Sequence, residues 1–137
     1  MIEGWSGDDY LILFEDDAPG LQQAYALGQF LPGHRLLGLR GWDDFIVQDE
    51  AGAVFCVPTV PLGLGHLEPF VLPEPGARSL SPDPRFTGRI KWYVQPIVFG
   101  GDPDAGPNLV WVSLTQHAEL VRYWNDLHRK LTATTPR

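Results

Sequence analysis

The stretch from Arg89 to Lys130 constrains the fold of this 137-residue chain more than any other. It begins with a strand-like run, RIKWYVQPIVFG, and passes through a loop rich in glycine and proline into a short apolar run, LVWV. The next segment, LTQHAELVRYWNDLHRKL, repeats apolar residues at the spacing of one helix face. We therefore expect two strands followed by the longest helix of the protein, with the first strand central or nearly central in its sheet.

Two local patterns indicate where elements begin and turn. Ser113 precedes the long helix and Gln116 lies three residues later, which is a capping-box pattern. The Asp49–Gly52 spacing between DDFIVQD and AVFCVPTV predicts a hairpin in which Gly52 adopts a positive φ angle. Pro96 interrupts the strand-like run and predicts a bulge or a sheet edge there.

In the remaining segments, apolar runs predict strands and helices, and proline and glycine predict where these elements end. GDDYLILF predicts the first strand and LQQAYALGQF a short helix, which Leu31-Pro32-Gly33 ends. HRLLGLRGW is either a strand or a connecting turn. Residues 62–88 hold five prolines and are expected to be the least structured part of the chain. Within them, GARSLSPDPRFTG at 76–88 predicts an extended surface loop, whereas Leu67, Phe70 and Leu72 are expected to pack down.

Length and element order together predict one α+β domain over residues 1–137, with a loose tail at 134–137. An antiparallel sheet would pack on the long C-terminal helix and the short N-terminal helix. The single cysteine, Cys56, excludes an intrachain disulfide. Neither a signal-peptide pattern nor a membrane-spanning apolar run is present, so we expect a cytoplasmic protein.

Charge is unevenly distributed along the chain. Residues 1–60 hold ten acidic and two basic residues, a net charge of −8, whereas residues 61–137 carry +1. An acidic half repels phosphate backbones and anionic lipids, which disfavours nucleic-acid and membrane binding. It suits a basic protein partner, although a charged surface that keeps the protein soluble explains the same composition.

No group of residues identifies a reaction. Paired carboxylates at 8–9, 16–17 and 43–44 would share a proton or hold a metal only if they converged, and adjacent strand residues point to opposite faces. Cys56 lies within an apolar strand, which indicates a buried, inert thiol. The histidines are scattered, and no phosphate loop or zinc pattern occurs. We therefore predict no catalytic residue, no metal and no cofactor.

One turn carries a family resemblance. Leu31-Pro32-Gly33-His34, after a short helix, resembles the leucine–proline–x–aromatic signature of the SUKH superfamily, the Smi/Knr cell-wall-regulator-like proteins. The resemblance extends over residues 20–130. Further similar pieces are Gly38, Gly41-Trp42-Asp43-Asp44, Val57-Pro58 and Trp111-Val112 before the closing helix.

The resemblance implies a compact α+β domain without catalytic residues. It also implies an immunity protein that binds and neutralises a toxin of a contact-dependent or type VI secretion system, and the acidic excess suits a basic toxin domain. Two alternatives stay open: a regulatory adaptor of a cell-envelope pathway, and a small hydrolase that uses Asp43, Asp44 and a histidine. For a basic partner, charge steering and an exposed tryptophan predict a binding site in the acidic half. Its expected residues are Asp16, Asp17, Trp42, Asp43 and Asp44.

Overall fold

The computed structural model describes residues 2–7, 9–14, 16, 18–41, 44–60, 62–71, 80–81, 83–86, 89–93 and 109–134. Its main sheet has six antiparallel strands, each paired with the next along the chain. They are β1 (Ile2–Ser6), β2 (Asp9–Leu13), β3 (Arg35–Arg40), β4 (Asp44–Gln48), β5 (Val54–Pro58) and β6 (Glu68–Pro69). A two-stranded antiparallel sheet pairs β7 (Ile90–Tyr93) with β8 (Leu109–Val112). The helices are α1 (Ala18–Ala24), α2 (Leu27–Phe30) and α3 (Leu114–Thr134), with a short 3-10 helix at Leu64–His66.

The two faces of the main sheet bury different residues, because successive side chains of a strand point to opposite sides. One face forms the larger core with the helices and β7; its strand residues include Tyr10, Ile12, Leu39, Phe45 and Val57. The opposite face, called here the second face, carries a smaller buried cluster. The members of that cluster are Leu11, Ile46, Cys56 and Leu80, with Phe70 packed against them. The predicted α+β architecture, with a long C-terminal and a short N-terminal helix on an antiparallel sheet, is confirmed.

The local signals at the hairpin and at α3 are also confirmed. Gly52 has a φ angle of 91°, and the Asp49 carboxylate accepts hydrogen bonds from the N–H groups of Ala51 and Ala53. At the start of α3, the Gln116 N–H donates to Ser113 Oγ at 3.2 Å, and the Ser113 N–H donates to Gln116 Oε1 at 3.0 Å. Both donors would otherwise lack a partner within the helix.

We expect replacement of Ser113 by alanine to lower the free energy of unfolding by about 1 kcal/mol, because α3 loses its side-chain cap. Urea denaturation measures the loss. Thr115→Ala is the matched control, since Thr115 is exposed on the first turn of the same helix and makes no capping hydrogen bond in the described structure. Equal stabilities of the two variants would contradict a capping role for Ser113.

Three expectations about strands need correction or completion. The segment beginning at Arg89 does not form a central strand of the main sheet, since its described part, Ile90–Tyr93, pairs with β8 in a separate sheet. The strand expected to be first is preceded by β1, which forms the edge of the main sheet. HRLLGLRGW, whose sequence is compatible with a strand or a turn, contributes β3 between β2 and β4. The predicted irregularity at Pro96 lies outside the described residues.

The proline-rich segment agrees in part with the expectation of packing. Leu67 packs against the larger core and Phe70 against the second face, while Leu72 lies outside the described residues. Trp5 is half-buried and makes an edge-to-face contact with Tyr10 at 5.3 Å between ring centroids. This contact places Trp5 against the core.

Helix α3 is joined to the chain after β5 by one buried side chain. The Asn125 side chain accepts a hydrogen bond from the Leu62 N–H at 2.8 Å and donates to the carbonyl of Thr59 at 2.7 Å. It also donates to the Val121 carbonyl of its own helix. Because all of these groups are withdrawn from water, Asn125 fixes the position of α3 relative to the end of β5.

Candidate partner-binding surface

The described structure contains two of the five residues predicted to bind a partner. Asp16 is exposed in the turn after β2, and Asp44 begins β4 half-buried. Asp17, Trp42 and Asp43 lie outside the described residues. The strand register then locates the two described carboxylates relative to one another.

Asp16 and Asp44 lie toward opposite ends of the sheet. In the strand register Asp44 is opposite Arg40, which in turn is opposite Leu11, the middle residue of β2. Asp16 instead follows the far end of β2, beyond Leu13. A five-residue strand spans roughly 16 Å, so the two carboxylates do not form one patch.

A groove of about 820 Å³ lies between the short helices and β3, and Asp16 does not line it. Ala18, two residues after Asp16, lines the groove together with Gln22, Gln29 and Leu37. Ala26 also lines it and has a φ angle of 54°, a left-handed conformation that is unfavourable for a residue with a Cβ. Amide side chains and apolar residues dominate this lining, so the groove is not an acidic site.

Asp44 belongs to a charged cluster at the other end of the second face. Arg40 Nε lies 3.3 Å from Asp9 Oδ2, and its guanidinium carbon lies 5.1 Å from the centre of the Phe70 ring. Register places Asp44 opposite Arg40, and Glu68 opposite Cys56, on neighbouring strands. Asp9 forms the ion pair with Arg40, and the Asp44 carboxylate interacts electrostatically with Arg40, Glu68 and Asp9. We call these four residues the Arg40 cluster.

Sequence reasoning missed Arg40 and Glu68 and treated Asp9 only as part of an adjacent acidic pair. The predicted hairpin offered one signal for this site. Its register pairs Ile46 with Cys56 and Asp44 with Pro58, which brings Asp44 and Cys56 to neighbouring positions on β4 and β5. The adjacent β6, which brings Glu68 beside Cys56, has two residues and gives little apolar pattern to detect.

A pocket of about 420 Å³ opens beside the Arg40 cluster. Burial raises the pKa of Asp44; Arg40 opposes this shift, while the negative charges of Glu68 and Asp9 add to it. The pocket therefore presents one partly desolvated carboxyl group, that of Asp44, beside the exposed carboxylate of Glu68, and this pair is suited to a cationic group. The residues that line it are Asp44, Cys56, Pro58, Gly65, His66, Leu67 and Glu68.

Cys56 lines the pocket as a buried thiol rather than a nucleophile. Burial raises its pKa to about 11; a hydrogen bond with Arg40 works in the opposite direction. The thiolate is therefore scarce at neutral pH. Among the described residues, no group of three or more histidine, cysteine, aspartate or glutamate side chains is arranged to hold a metal ion.

We expect the native protein to react with iodoacetamide at least about 100-fold more slowly than the urea-unfolded chain at neutral pH, because burial and the raised pKa both suppress the Cys56 thiolate. Mass spectrometry over a time course measures the rate. Since the chain has one cysteine, any modification reports on this site directly. Native and unfolded rates within a factor of three would show that the thiol is accessible and ionised.

None of the helices in the described part of the chain combines the length and apolar character that crossing a bilayer requires. No family model, curated protein or solved structure matches this chain.

Proposed function

We propose that this chain is a non-enzymatic binding protein, an immunity protein that neutralises a basic secreted toxin in the cytoplasm. The observation that carries the proposal is the Arg40 cluster, in which the Asp44 carboxylate interacts electrostatically with Arg40, Glu68 and Asp9, and Asp44 and Glu68 line an open pocket. The cluster belongs to a chain of net charge −7 whose first 60 residues hold most of the acidic excess. The resemblance of Leu31-Pro32-Gly33-His34 to the SUKH signature supports the same class of protein.

The Arg40 cluster favours a lysine or arginine side chain of the partner. One guanidinium cannot neutralise three carboxylates, so the site attracts a second cation over a distance set by the ionic strength. Asp44 and Glu68 line the pocket and would contact that cation directly. Pro58 and Leu67, which line the same pocket, provide apolar surface for the stem of a long cationic side chain.

The test is neutralisation of a basic toxin domain encoded beside this chain, followed by surface plasmon resonance with the purified pair. We expect Asp44→Asn with Glu68→Gln to slow association and to weaken affinity about 10-fold, since two rim carboxylates are lost. Neutral isosteres are preferred to lysine at position 44, because Asp44 is half-buried next to Arg40 and a lysine would be repelled there.

Asp126→Asn is the matched control, because Asp126 is an exposed carboxylate on α3 that is remote in sequence from the cluster. Wild-type association should also slow as salt is added. An affinity that is the same for the double variant, the control and the wild type would place the interface elsewhere. Failure to bind or neutralise any neighbouring toxin would remove the proposed function itself.

A small hydrolase is the second candidate, because the pocket brings His66 to the same cavity as Asp44 and Glu68. A general base needs a hydrogen-bonded partner to orient it, and no side-chain hydrogen bond of His66 occurs among the described residues. Hydrolysis of ester or phosphoester substrates that is abolished by His66→Gln would favour this function over binding alone.

A further inference from the structure

A second surface, which is aromatic and basic where the Arg40 cluster is acidic, lies beside the β7–β8 sheet. The Trp111 ring stacks on the Phe86 ring, with 5.5 Å between centroids and an interplanar angle of 21°. The Arg85 guanidinium lies 5.0 Å from the centre of the same Phe86 ring. Trp111 is 43% exposed. We call Arg85, Phe86 and Trp111 the aromatic shelf.

The aromatic shelf is held in place by the Asp83 carboxylate, which accepts hydrogen bonds from Arg85 and from Trp5. Arg85 donates to Asp83 from Nη2 at 2.7 Å and from Nε at 3.1 Å, and Trp5 Nε1 donates to the same carboxylate at 3.1 Å. The Arg85 and Trp5 hydrogen bonds hold the pKa of Asp83 well below its usual range. Ser81 also pairs with the Trp5 backbone in both directions. The shelf is thus preorganised, which lowers the entropy lost on binding.

Basic residues are concentrated in the segment that forms the shelf. Arg85, Arg89 and Lys91 occur within seven residues of a chain whose net charge is −7, and they outnumber the neighbouring carboxylates of Asp83 and Glu3. Arg89 is exposed and forms no ion pair among the described residues. Although Arg85 is paired with Asp83, its side chain stays 75% exposed. An anionic ligand is therefore complementary to this surface.

The negative net charge of the whole chain favours a small anionic ligand over a large one. A nucleic acid or an anionic membrane extends well beyond the Debye length of about 8 Å and meets the acidic excess of the whole chain. A short acidic peptide segment meets chiefly the local charge. Tryptophan and arginine are also the residue types that carry most energy at protein interfaces.

We propose that the aromatic shelf and Arg89 bind a short acidic segment of a protein partner. Carboxylates of the segment accept hydrogen bonds from Arg89 and from the exposed edge of Arg85, and an apolar side chain of the segment packs on Trp111. This interaction is separate from toxin neutralisation, which depends on the acidic Arg40 cluster.

The test is an NMR titration of the whole 15N-labelled chain with an eight-residue peptide that alternates glutamate and leucine, blocked at both ends. We expect the indole N–H signal of Trp111 to shift and the dissociation constant to lie below about 1 mM. The same peptide with lysine in place of glutamate should bind at least tenfold more weakly. Arg89→Glu should weaken binding of the acidic peptide at least tenfold, and Arg89→Gln serves if the reversed charge disturbs folding.

Arg122→Glu is the matched control, since Arg122 is an exposed arginine on α3. The affinity of this variant for the acidic peptide should stay within twofold of that of the wild type. Equal binding of the two peptides, equal effects of the Arg89 and Arg122 variants, or an unmoved Trp111 signal would each overturn the proposal. Tighter binding of a single-stranded oligonucleotide at the same signals would replace the acidic peptide by a nucleic acid and would likewise overturn it.

Discussion

Replacement of Gly38 by alanine is expected to lower the free energy of unfolding by about 3 kcal/mol, the upper range for overpacking in a well-packed interior. Gly38 lies in β3, which pairs on both sides, with Leu13 of β2 and Ile46 of β4. A Cβ at this position would lie 2.1 Å from the carbonyl oxygen of Ile12 and 3.1 Å from the Cα of Leu13. All of these atoms belong to the backbone, so no side chain can rotate away to make room.

Urea denaturation followed by circular dichroism measures the loss for Gly38→Ala. Gly28→Ala is the control, because Gly28 lies in α2 and an added Cβ there meets no atom within 4 Å. That control should be neutral or more stable by up to about 1 kcal/mol, since alanine favours a helix. A loss below about 1 kcal/mol for Gly38→Ala would show that β2 and β3 separate at little cost.

Acidification is expected to destabilise the protein through His117. This residue is fully buried in α3, and its Nδ1 lies 2.6 Å from the Tyr25 hydroxyl. Its ring also meets the Trp92 ring edge-to-face at 5.2 Å. Burial lowers the pKa of His117 from 6.5 to about 3, because no anion in the described surroundings stabilises the imidazolium.

The sign of the pH dependence follows from proton binding. Between about pH 6.5 and pH 3 the unfolded chain binds a proton at His117 that the folded chain does not, so stability is present above this range and is lost as pH falls. The loss amounts to about 1.4 kcal/mol per pH unit, or about 2 kcal/mol between pH 6.5 and pH 5.

His117→Gln isolates this contribution, because glutamine does not titrate and can accept the Tyr25 hydroxyl hydrogen bond. We expect the variant to be less stable than the wild type near pH 7 but to lose less stability on acidification, as measured by urea denaturation at a series of pH values. His66→Gln is the control for an exposed histidine. Parallel pH dependences of the wild type and His117→Gln would contradict the assignment to His117.

The sequence by itself determined the elements whose signals are local. Ser113 and Gln116 mark the start of α3 because their hydrogen bonds span three residues. Gly52 marks the hairpin turn because a positive φ angle favours glycine. Likewise, Pro32 and Gly33 follow Leu31, the C-cap residue of α2. Each of these signals depends on neighbours in the chain, so the tertiary structure was not needed to read them.

The tertiary structure decided which strands share a sheet and which side chains meet. β1, with the sequence IEGWS, has little intrinsic strand pattern and exists because β2 supplies its hydrogen bonds. Four different strands contribute the residues of the Arg40 cluster, which are Asp9, Arg40, Asp44 and Glu68. The equally acidic Asp16 lies toward the opposite end of the main sheet. His117 and Asn125 are polar and yet buried in α3, where they hydrogen-bond to Tyr25 and Leu62. Both partners lie more than 60 residues away in sequence. Contacts between such distant residues depend on strand register and helix packing, which no local pattern specifies.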